Sequence, residues 1–352
     1  MINFKYIKPK DIIILDDGYS KIKFDDCSYE YVDFKSLNFF CAIKTLFIFF
    51  IKKNSLSLKQ IYKQSLYRMY SPKLAISHHI NGRGIECKFL CSDIKIAIYQ
   101  FAYSPTRFKL KHVLGNFKPK KNQNLIDYLF VYHQDDKESI DFPKSKIFVS
   151  GSIKNNEIKK KNFKKKLNSL LYISEYDPKN IGEHYYYKKA KRLIILLSKF
   201  CKLNNKKFNV ALRSNRKDKK IDRKKEIEFF TRLIGKNFNT SSLNSYDFAA
   251  QSEVIVCLSS NLGIELLSRK YKVLFVPVHE SKYEKYAYLP KNEIFVNRNL
   301  QEAKIFFKLQ KIYEINKKLW ENLLKLKINN LKFDPENKMF KKEIKKIIVN
   351  NE

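Results

Sequence analysis

The chain has 352 residues with 71 Lys and Arg against 35 Asp and Glu, a formal charge of +36, and 44% of it is hydrophobic. That length is too great for one small module and suits two domains of ordinary size, and the apolar fraction excludes a disordered chain. The charge points to an anionic partner (nucleic acid, a phosphate-bearing substrate or an anionic membrane surface) or to an A/T-rich genome, whose codons raise Lys, Asn, Ile, Phe and Tyr together.

In chain order, Asp11–Leu15 (DIIIL) reads as a buried strand running into a turn at Asp16-Asp17-Gly18, and Tyr29–Phe34 as a second strand. Leu37–Ile51 (LNFFCAIKTLFIFFI) falls short of the roughly 20 residues a spanning helix needs and is interrupted by Lys44, so it reads as a buried helix. Lys73–Ser77 is a buried strand leading into His78-His79-Ile80-Asn81-Gly82-Arg83-Gly84. Asp93–Tyr99 alternates and ends at Gln100, and Leu125–Tyr132 and Lys146–Val149 follow as strands. The Lys/Asn-rich stretch Asn155–Lys166 reads as a linker.

A second alternation begins with strand Leu170–Ser174, a helix over Tyr185–Leu203, strand Phe208–Leu212 and a helix over Lys224–Ile234. Glu253–Val278 reads strand, tight turn, short helix, strand. From Leu300 on, Ile312, Ile315, Leu319, Leu323 and Leu326 recur at helical steps. The fold class is therefore α/β, with two Rossmann-like parallel-sheet domains facing a cleft, over 1–160 and 161–305, closed by C-terminal helices in 306–352 that pack back on the first domain.

In open parallel sheets ligands bind beyond the carboxyl ends of the strands, so those loops supply the candidates. Ser259-Ser260-Asn261-Leu262-Gly263-Ile264-Glu265 sets two hydroxyls and an amide where a strand ends and a helix starts, and unpaired backbone N–H groups with the positive helix end suit phosphate there. Ser260 or Asn261 serves equally as a plain N-cap. Glu265, one turn into that helix, is placed to accept hydrogen bonds from ribose hydroxyls, or else complements the helix dipole or pairs with a Lys. Ser174-Glu175-Tyr176 and Arg213-Ser214-Asn215 end two further strands, where a guanidinium and hydroxyls suit a diphosphate; a solvated surface Arg is the competing reading. Tyr246 and Asp247 lie on a short helix beside the same site, Asp247 serving also as a helix-start dipole partner. In the first domain Asp16, Asp17, His78, His79, Asn81 and Gln100 lie at strand ends, where a carboxylate or imidazole would deprotonate an acceptor hydroxyl. Gly18, Gly82, Gly84, Gly151 and Gly263 each follow a strand, as tight turns or as close approaches to a ligand. No DxD, P-loop or GxGxxG occurs, which disfavours a Mg-dependent kinase or a simple NAD enzyme.

Cys27, Cys41, Cys87, Cys91, Cys201 and Cys257 form no CxxC pair and have no zinc-like spacing. With no signal peptide before the first strand, they read as free thiols in a reducing cytoplasm, and neither a secreted nor an integral membrane protein fits.

The segments DIIILDDGYSKI (11–22), SPKLAISHHINGRG (71–84), IAIYQF (96–101), KIFVSGSIKNN (146–156), LLYISEYDP (170–178), VALRS (210–214), KEIEFF (225–230) and SYDFAAQSEVIVCLSSNLGIELLSRKYKVLFV (245–276) resemble, in this order, bacterial surface-carbohydrate biosynthesis proteins with a GT-B glycosyltransferase-like architecture. Similar proteins usually carry Ser-Thr-Leu-Gly-Tyr-Glu where this chain has Ser260-Asn261-Leu262-Gly263-Ile264-Glu265, and Asp-Asn where it has His78-His79-Ile80-Asn81. The resemblance implies a metal-independent transferase that needs no cofactor, uses a nucleotide-sugar as donor and adds the sugar to a surface glycan or its lipid-linked precursor. On that view the second domain holds the donor: Ser174, Ser259, Ser260, Asn261 and Gly263 line the phosphate site, Glu265 takes the ribose, and Arg213 neutralises the leaving diphosphate. The first domain holds the acceptor, with Asp17 or His78 as base and Asn81 and Gln100 on the acceptor side. The expected location is cytoplasmic, at the inner face of the cytoplasmic membrane, through peripheral contact with anionic lipid. A nucleotide-sugar epimerase or hydrolase on the same fold is the alternative. A nucleic-acid-binding protein is the alternative of another class, although RRM, helix-turn-helix and zinc-finger signatures are absent.

Overall fold

The computed structural model describes residues 2–15, 22–51, 56–78, 82–100, 125–134, 137, 145–159, 167–176, 185–213, 220–277, 294–327 and 331–350. The chain divides into two units, residues 1–159 with 332–352, and residues 160–331.

In the first unit, β1 (Ile2–Asn3) pairs in parallel with β4 (Leu37–Asn38) as a small separate ladder. The main sheet is formed by β2 (Ile12–Ile14), β3 (Tyr29–Tyr31), β5 (Leu74–His78), β6 (Lys95–Tyr99), β7 (Tyr128–Val131) and β8 (Lys146–Val149). Its order is β3-β2-β5-β6-β7-β8 and every pair is parallel. A parallel sheet is covered on both faces, so its strands read as continuous apolar runs; Ile12, Ile13 and Ile14 are all fully buried. Successive residues alternate between faces. Ile13, Ala75, Ile96 and Leu129 join one core, with Leu66 and Tyr67 of α2 (Leu58–Tyr70) and Ile85 of α3 (Arg83–Leu90). Ile12, Ile14, Ile76, Tyr99 and Phe130 join the other. Helix α1 (Phe39–Ile51) precedes α2, whose start is fixed by a capping box between Ser57 and Gln60.

The second core of this unit is completed by the end of the chain. After a 3₁₀ turn at Pro335–Asn337, the C-terminal helix α11 (Lys338–Val349) inserts Phe340, Ile344, Ile347 and Ile348 against the sheet, with the Phe340 and Phe130 rings 4.6 Å apart. Short α4 (Ile153–Glu157) holds the returning segment: Asn156 Oδ1 accepts the Asp334 N–H at 3.0 Å, and Asn337 Nδ2 donates to the Ile153 carbonyl at 2.9 Å. The stretch expected to open a linker at Asn155 is thus partly structure, with Asn155 and Asn156 both buried. Their polarity serves internal hydrogen bonds and not solvent.

The second unit is a four-stranded parallel sheet of β9 (Ser169–Ile173), β10 (Lys207–Ala211), β11 (Val254–Cys257) and β12 (Val273–Phe275), in the order β10-β9-β11-β12. Its helices are α5 (Tyr185–Leu203), α6 (Lys220–Ile234), α7 (Ser245–Ala250), α8 (Asn261–Ser268), α9 (Glu302–Glu314) and α10 (Lys317–Lys327). The expected boundary at 305/306 falls inside α9; α9 and α10 belong to the second unit, and α11 alone among the described helices after 300 belongs to the first. The apolar ladder from Ile312 onward also breaks. Ile315 ends α9 in an extended conformation, which resets the helical phase, so α10 buries Trp320 and Leu324 while Leu319 and Leu326 face out. Trp320 Nε1 donates to the Tyr271 carbonyl at 3.0 Å.

Two expectations meet different outcomes here. The six cysteines are free thiols, five of them buried. Helix α1, read as buried, exposes most of its large side chains, and among its residues Cys41 and Thr45 alone are buried. None of the described helices is long and apolar enough to cross a membrane.

Gly151 has φ +71°, and a Cβ there would overlap the Lys332 carbonyl oxygen; Gly235 has φ +70° with open space around it. Gly235→Ala should therefore cost only the backbone term, about 1 kcal/mol. Gly151→Ala should cost at least ~3 kcal/mol, because the returning segment must also move. Thermal denaturation of the two variants separates these contributions.

Candidate functional site

In an open parallel sheet the crevice forms at the topological switch point, where successive connections leave to opposite sides of the starting strand. In the second unit that point lies between β9 and β11. The register aligns Ala211, Ile173, Cys257 and Phe275 in one row across the sheet, so Arg213, Ser174, Glu175 and Ser259 all follow the carboxyl edge on three adjacent strands.

Their hydrogen bonds are specific. Glu175 accepts the Ser259 backbone N–H at 2.6 Å through Oε1 and the Ser259 hydroxyl at 2.8 Å through Oε2, which clamps the switch point. Ser174 donates its hydroxyl to Glu226, a fully buried carboxylate on α6 that also accepts the Arg213 backbone N–H at 3.1 Å. The Arg213 guanidinium donates to the Tyr176 carbonyl at 3.2 Å. Glu226 was invisible to the strand-end rule because it lies mid-helix, although its place three and four residues before Phe229 and Phe230, on their apolar face and unlike Glu228, is the trace it leaves in the sequence.

Ser260 is the N-cap of α8, its hydroxyl accepting from the Leu262 N–H at 3.3 Å, and Asn261 opens the helix with Oδ1 buried and unpartnered among the described residues. Gly263 acts through packing: a Cβ would overlap Cys257 Sγ and meet the Phe275 ring at 2.8 Å, so only glycine lets α8 lie this close to β11 and β12. Glu265 is buried, and its carboxylate accepts the Tyr246 hydroxyl of α7. Arg269, at the end of α8, lies 5.5 Å over the Tyr246 ring, and burial lowers its pKa while the nearby Tyr246, Tyr271 and Glu265 oppose that shift. Asp247 is tied to the helix start: it takes an amide hydrogen bond from Asn244 at 2.8 Å, and Asn244 caps its N–H.

At the end of β12 lies a cavity of about 660 Å³ whose described lining includes Lys188, Lys189 and Arg192 from the start of α5, Arg298 and Pro277. Four cationic side chains thus surround one space beside the carboxyl edge. The Lys188/Arg192 spacing of four residues at the start of the helix after β9 was the available clue; Arg298 comes from a distant loop and left none.

In the first unit the switch point lies between β2 and β5. His78 ends β5, is buried, and meets the Tyr99 ring edge-on at 6.2 Å. Gln100 follows β6; its Oε1 accepts the Tyr132 N–H at 2.7 Å, and its Nε2 is buried without a partner among the described residues. His133, buried just past β7, joins this row and was missed, although it directly follows the expected strand. Asp16, Asp17, His79, Asn81, Ser214 and Asn215 lie outside the described residues.

A family model described as "putative O-antigen biosynthesis protein" matches residues 104–348, more than two thirds of the chain. No curated protein matches it. Among solved structures the chain is similar to a "putative UDP-N-acetylglucosamine 2-epimerase" of Listeria monocytogenes (12% identity over 96% of this chain and 95% of that one, TM-score 0.56). It is likewise similar to the Methanocaldococcus jannaschii UDP-GlcNAc 2-epimerase in complex with UDP-GlcNAc and UDP (12%, 97% and 100%, 0.53). A UDP-glucosyltransferase of Polygonum tinctorium is a third such structure (9%, 97% and 99%, 0.53). Likeness at this level establishes the fold, which is GT-B.

The Glu226 clamp yields a stability test. Glu226→Ala leaves the Ser174 hydroxyl and the Arg213 N–H unpaired and should cost about 2–4 kcal/mol. Glu226→Gln keeps an acceptor and should recover part of that loss, and Arg213→Lys should cost less than Glu226→Ala, since the backbone bond to Glu226 stays and only the guanidinium bond to Tyr176 is disturbed. Urea midpoints rank the three; equal midpoints would show a solvated carboxylate.

Proposed function

The chain belongs to the O-antigen biosynthesis protein family, and from that premise we propose that it is a metal-independent GT-B glycosyltransferase, moving a sugar from a nucleotide-activated donor onto a surface glycan or its lipid-linked precursor. The observation that carries this reading is the carboxyl edge of the second unit. There a helix start, hydroxyls and a cavity ringed by Lys188, Lys189, Arg192 and Arg298 gather on one sheet.

As the sugar–oxygen bond breaks its electron pair stays on the β-phosphate, so the departing nucleoside diphosphate gains one negative charge beyond the two the bound donor already carries. Fixed cations and oriented N–H groups stabilise that charge at little reorganisation cost. Ser260, Asn261 and the start of α8 face the phosphates, and the cations of the cavity balance their charge. Arg213 acts mainly by fixing the β9 and β10 ends, through Tyr176 and Glu226. Glu265, oriented by Tyr246, takes the ribose hydroxyls. On the acceptor side Asp17 or His78 removes the proton of the attacking hydroxyl, and Asn81 and Gln100 orient the acceptor, Gln100 through its buried Nε2. No cofactor beyond the donor is required, and the protein works at the inner face of the cytoplasmic membrane.

A nucleotide-sugar epimerase or hydrolase is the second reading, favoured by the two buried imidazoles His78 and His133 near one sheet edge, which would supply an acid–base pair. Incubation with nucleotide-sugars and no acceptor separates the two: product formed there supports the second reading, and product only with a glycan or lipid-linked acceptor supports the first.

A thermal-shift screen of nucleoside diphosphates identifies the base. With that diphosphate, Glu265→Gln and Arg298→Ala should each raise the calorimetric Kd about tenfold, equal to ~1.4 kcal/mol, with the melting temperature of the unliganded protein little changed. Unaltered Kd in both removes the donor assignment.

A further inference from the structure

Helix α1 is built inside out. A helix on the surface of a globular unit turns its large apolar side chains to the core, yet the buried side chains of α1 are Cys41 and Thr45, while Phe47 is 67% exposed, Phe50 79% and Ile51 63%. The buried side meets α2, where Cys41 Sγ donates to the Tyr62 carbonyl at 3.4 Å and the Tyr62 hydroxyl accepts the Asn38 N–H at 2.8 Å, and its other polar contacts are local to α1. Asn38 Oδ1 accepts the Cys41 N–H at 3.0 Å, and Thr45 Oγ1 donates to the Cys41 carbonyl at 2.7 Å. The β1–β4 edge extends the apolar surface, with exposed Phe4 5.0 Å from the Phe39 ring and exposed Tyr6 6.3 Å from Phe40. A contiguous apolar face of this kind on a protein surface marks a docking site.

The charge around it selects the occupant. Between Asp33 and Glu86 the sequence contains no acidic residue and nine Lys or Arg; Lys63 and Arg68 of these pair with Glu86 and Asp93, while Lys44 is exposed on α1 itself. Two copies of such a face would bring like charges together, whereas anionic headgroups over acyl chains answer both the cationic and the apolar part. The 13-residue helix is about 20 Å long, shorter than the ~30 Å hydrocarbon core, so it lies in the interface and does not span it. Exposed Lys44, in the middle of α1, has an aliphatic stem long enough to carry its ammonium to headgroups above a buried helix.

We propose that α1 and the β1–β4 edge form a membrane-docking surface that buries Phe47 and Phe50 in the interface of an anionic bilayer. It deepens the acceptor reading, on which it rests only for the idea that the bilayer carries the acceptor.

Flotation of the full chain with phosphatidylcholine vesicles, with and without phosphatidylglycerol, at physiological salt tests it. The unsubstituted protein should float with the anionic vesicles and much less with the neutral ones. Phe47→Ser/Phe50→Ser should lower the partition coefficient at least about tenfold, with an unchanged far-ultraviolet circular dichroism spectrum and melting temperature as the check on folding. Undiminished flotation of that variant overturns the proposal. So does a dimer in gel filtration that the variant dissolves while the unsubstituted protein ignores vesicles, because the face then joins two copies. Phe50→Trp is an independent probe, since the single native tryptophan, Trp320, is buried in the other unit and gives a constant background. Its emission should shift to the blue with anionic vesicles and be quenched by brominated acyl chains, and an unmoved spectrum overturns the proposal. Glu265→Gln should leave flotation intact, so failure of the donor reading is distinguishable from failure of this one.

Discussion

A parallel sheet buried on both faces needs two covers, and in the first unit one of them comes from the far end of the chain. Phe340, Ile344, Ile347 and Ile348 close the face that carries Ile12, Ile14, Ile76 and Phe130. Each contributes about 1.5–3 kcal/mol of apolar burial, so this face is not stable without the last helix. The constraint explains several residues at once. Gly151 gives room for the Lys332 carbonyl, Asn156 and Asn337 tie α4 to the returning segment, and residues 160–331 form a unit inserted within the first.

At the candidate donor site the governing constraint is hydrogen-bond satisfaction. Donors at the ends of β9, β10 and β11 would be free on a bare strand edge, but Glu175 and Glu226 engage several of them. Two carboxylates therefore set the loop geometry before any ligand arrives, which is the kind of preorganisation that makes fixed dipoles effective. It also divides labour. The residues read from the sequence as phosphate ligands, Ser174 and Ser259, hold the loops, and the uncommitted positive charge sits one strand over, around Lys188, Arg192 and Arg298.

Much of this was legible in the sequence because local chemistry determined it. The β-branched runs became strands, the helix over 185–203 has the expected ends, and 253–278 folds as strand, helix, strand. The strand-end rule pointed to Ser174, Arg213 and Ser260, which lie just past β9, just past β10 and at the N-cap of α8. Features set by tertiary packing were hidden. Asn155 and Asn156 read as linker because hydropathy cannot register an amide that bonds Ser150 and Asp334. Leu319 and Leu326 continued a ladder that Ile315 interrupts, and the interruption depends on one backbone dihedral. Helix α1 was the largest surprise, since periodicity reveals the buried face only when apolar residues are confined to one side, and here they occur all round.

The same helix gives the charge of the chain a more definite meaning. Among the described residues the buried charged side chains are Glu226, Asp247 and Glu265 against Lys88 and Arg269, so burial leaves the exterior nearly as cationic as the whole chain. Codon drift would raise Lys along the whole chain without removing acids from one region. Yet 35 acidic residues in 352 average one in ten, and the interval from Asp33 to Glu86 would ordinarily hold about five where it holds none. That interval is also where the large apolar side chains face outward. A drifting genome gives no reason for these two departures to coincide; an anionic, apolar surface gives one reason for both, because the cations and the phenylalanines then meet different depths of a single bilayer.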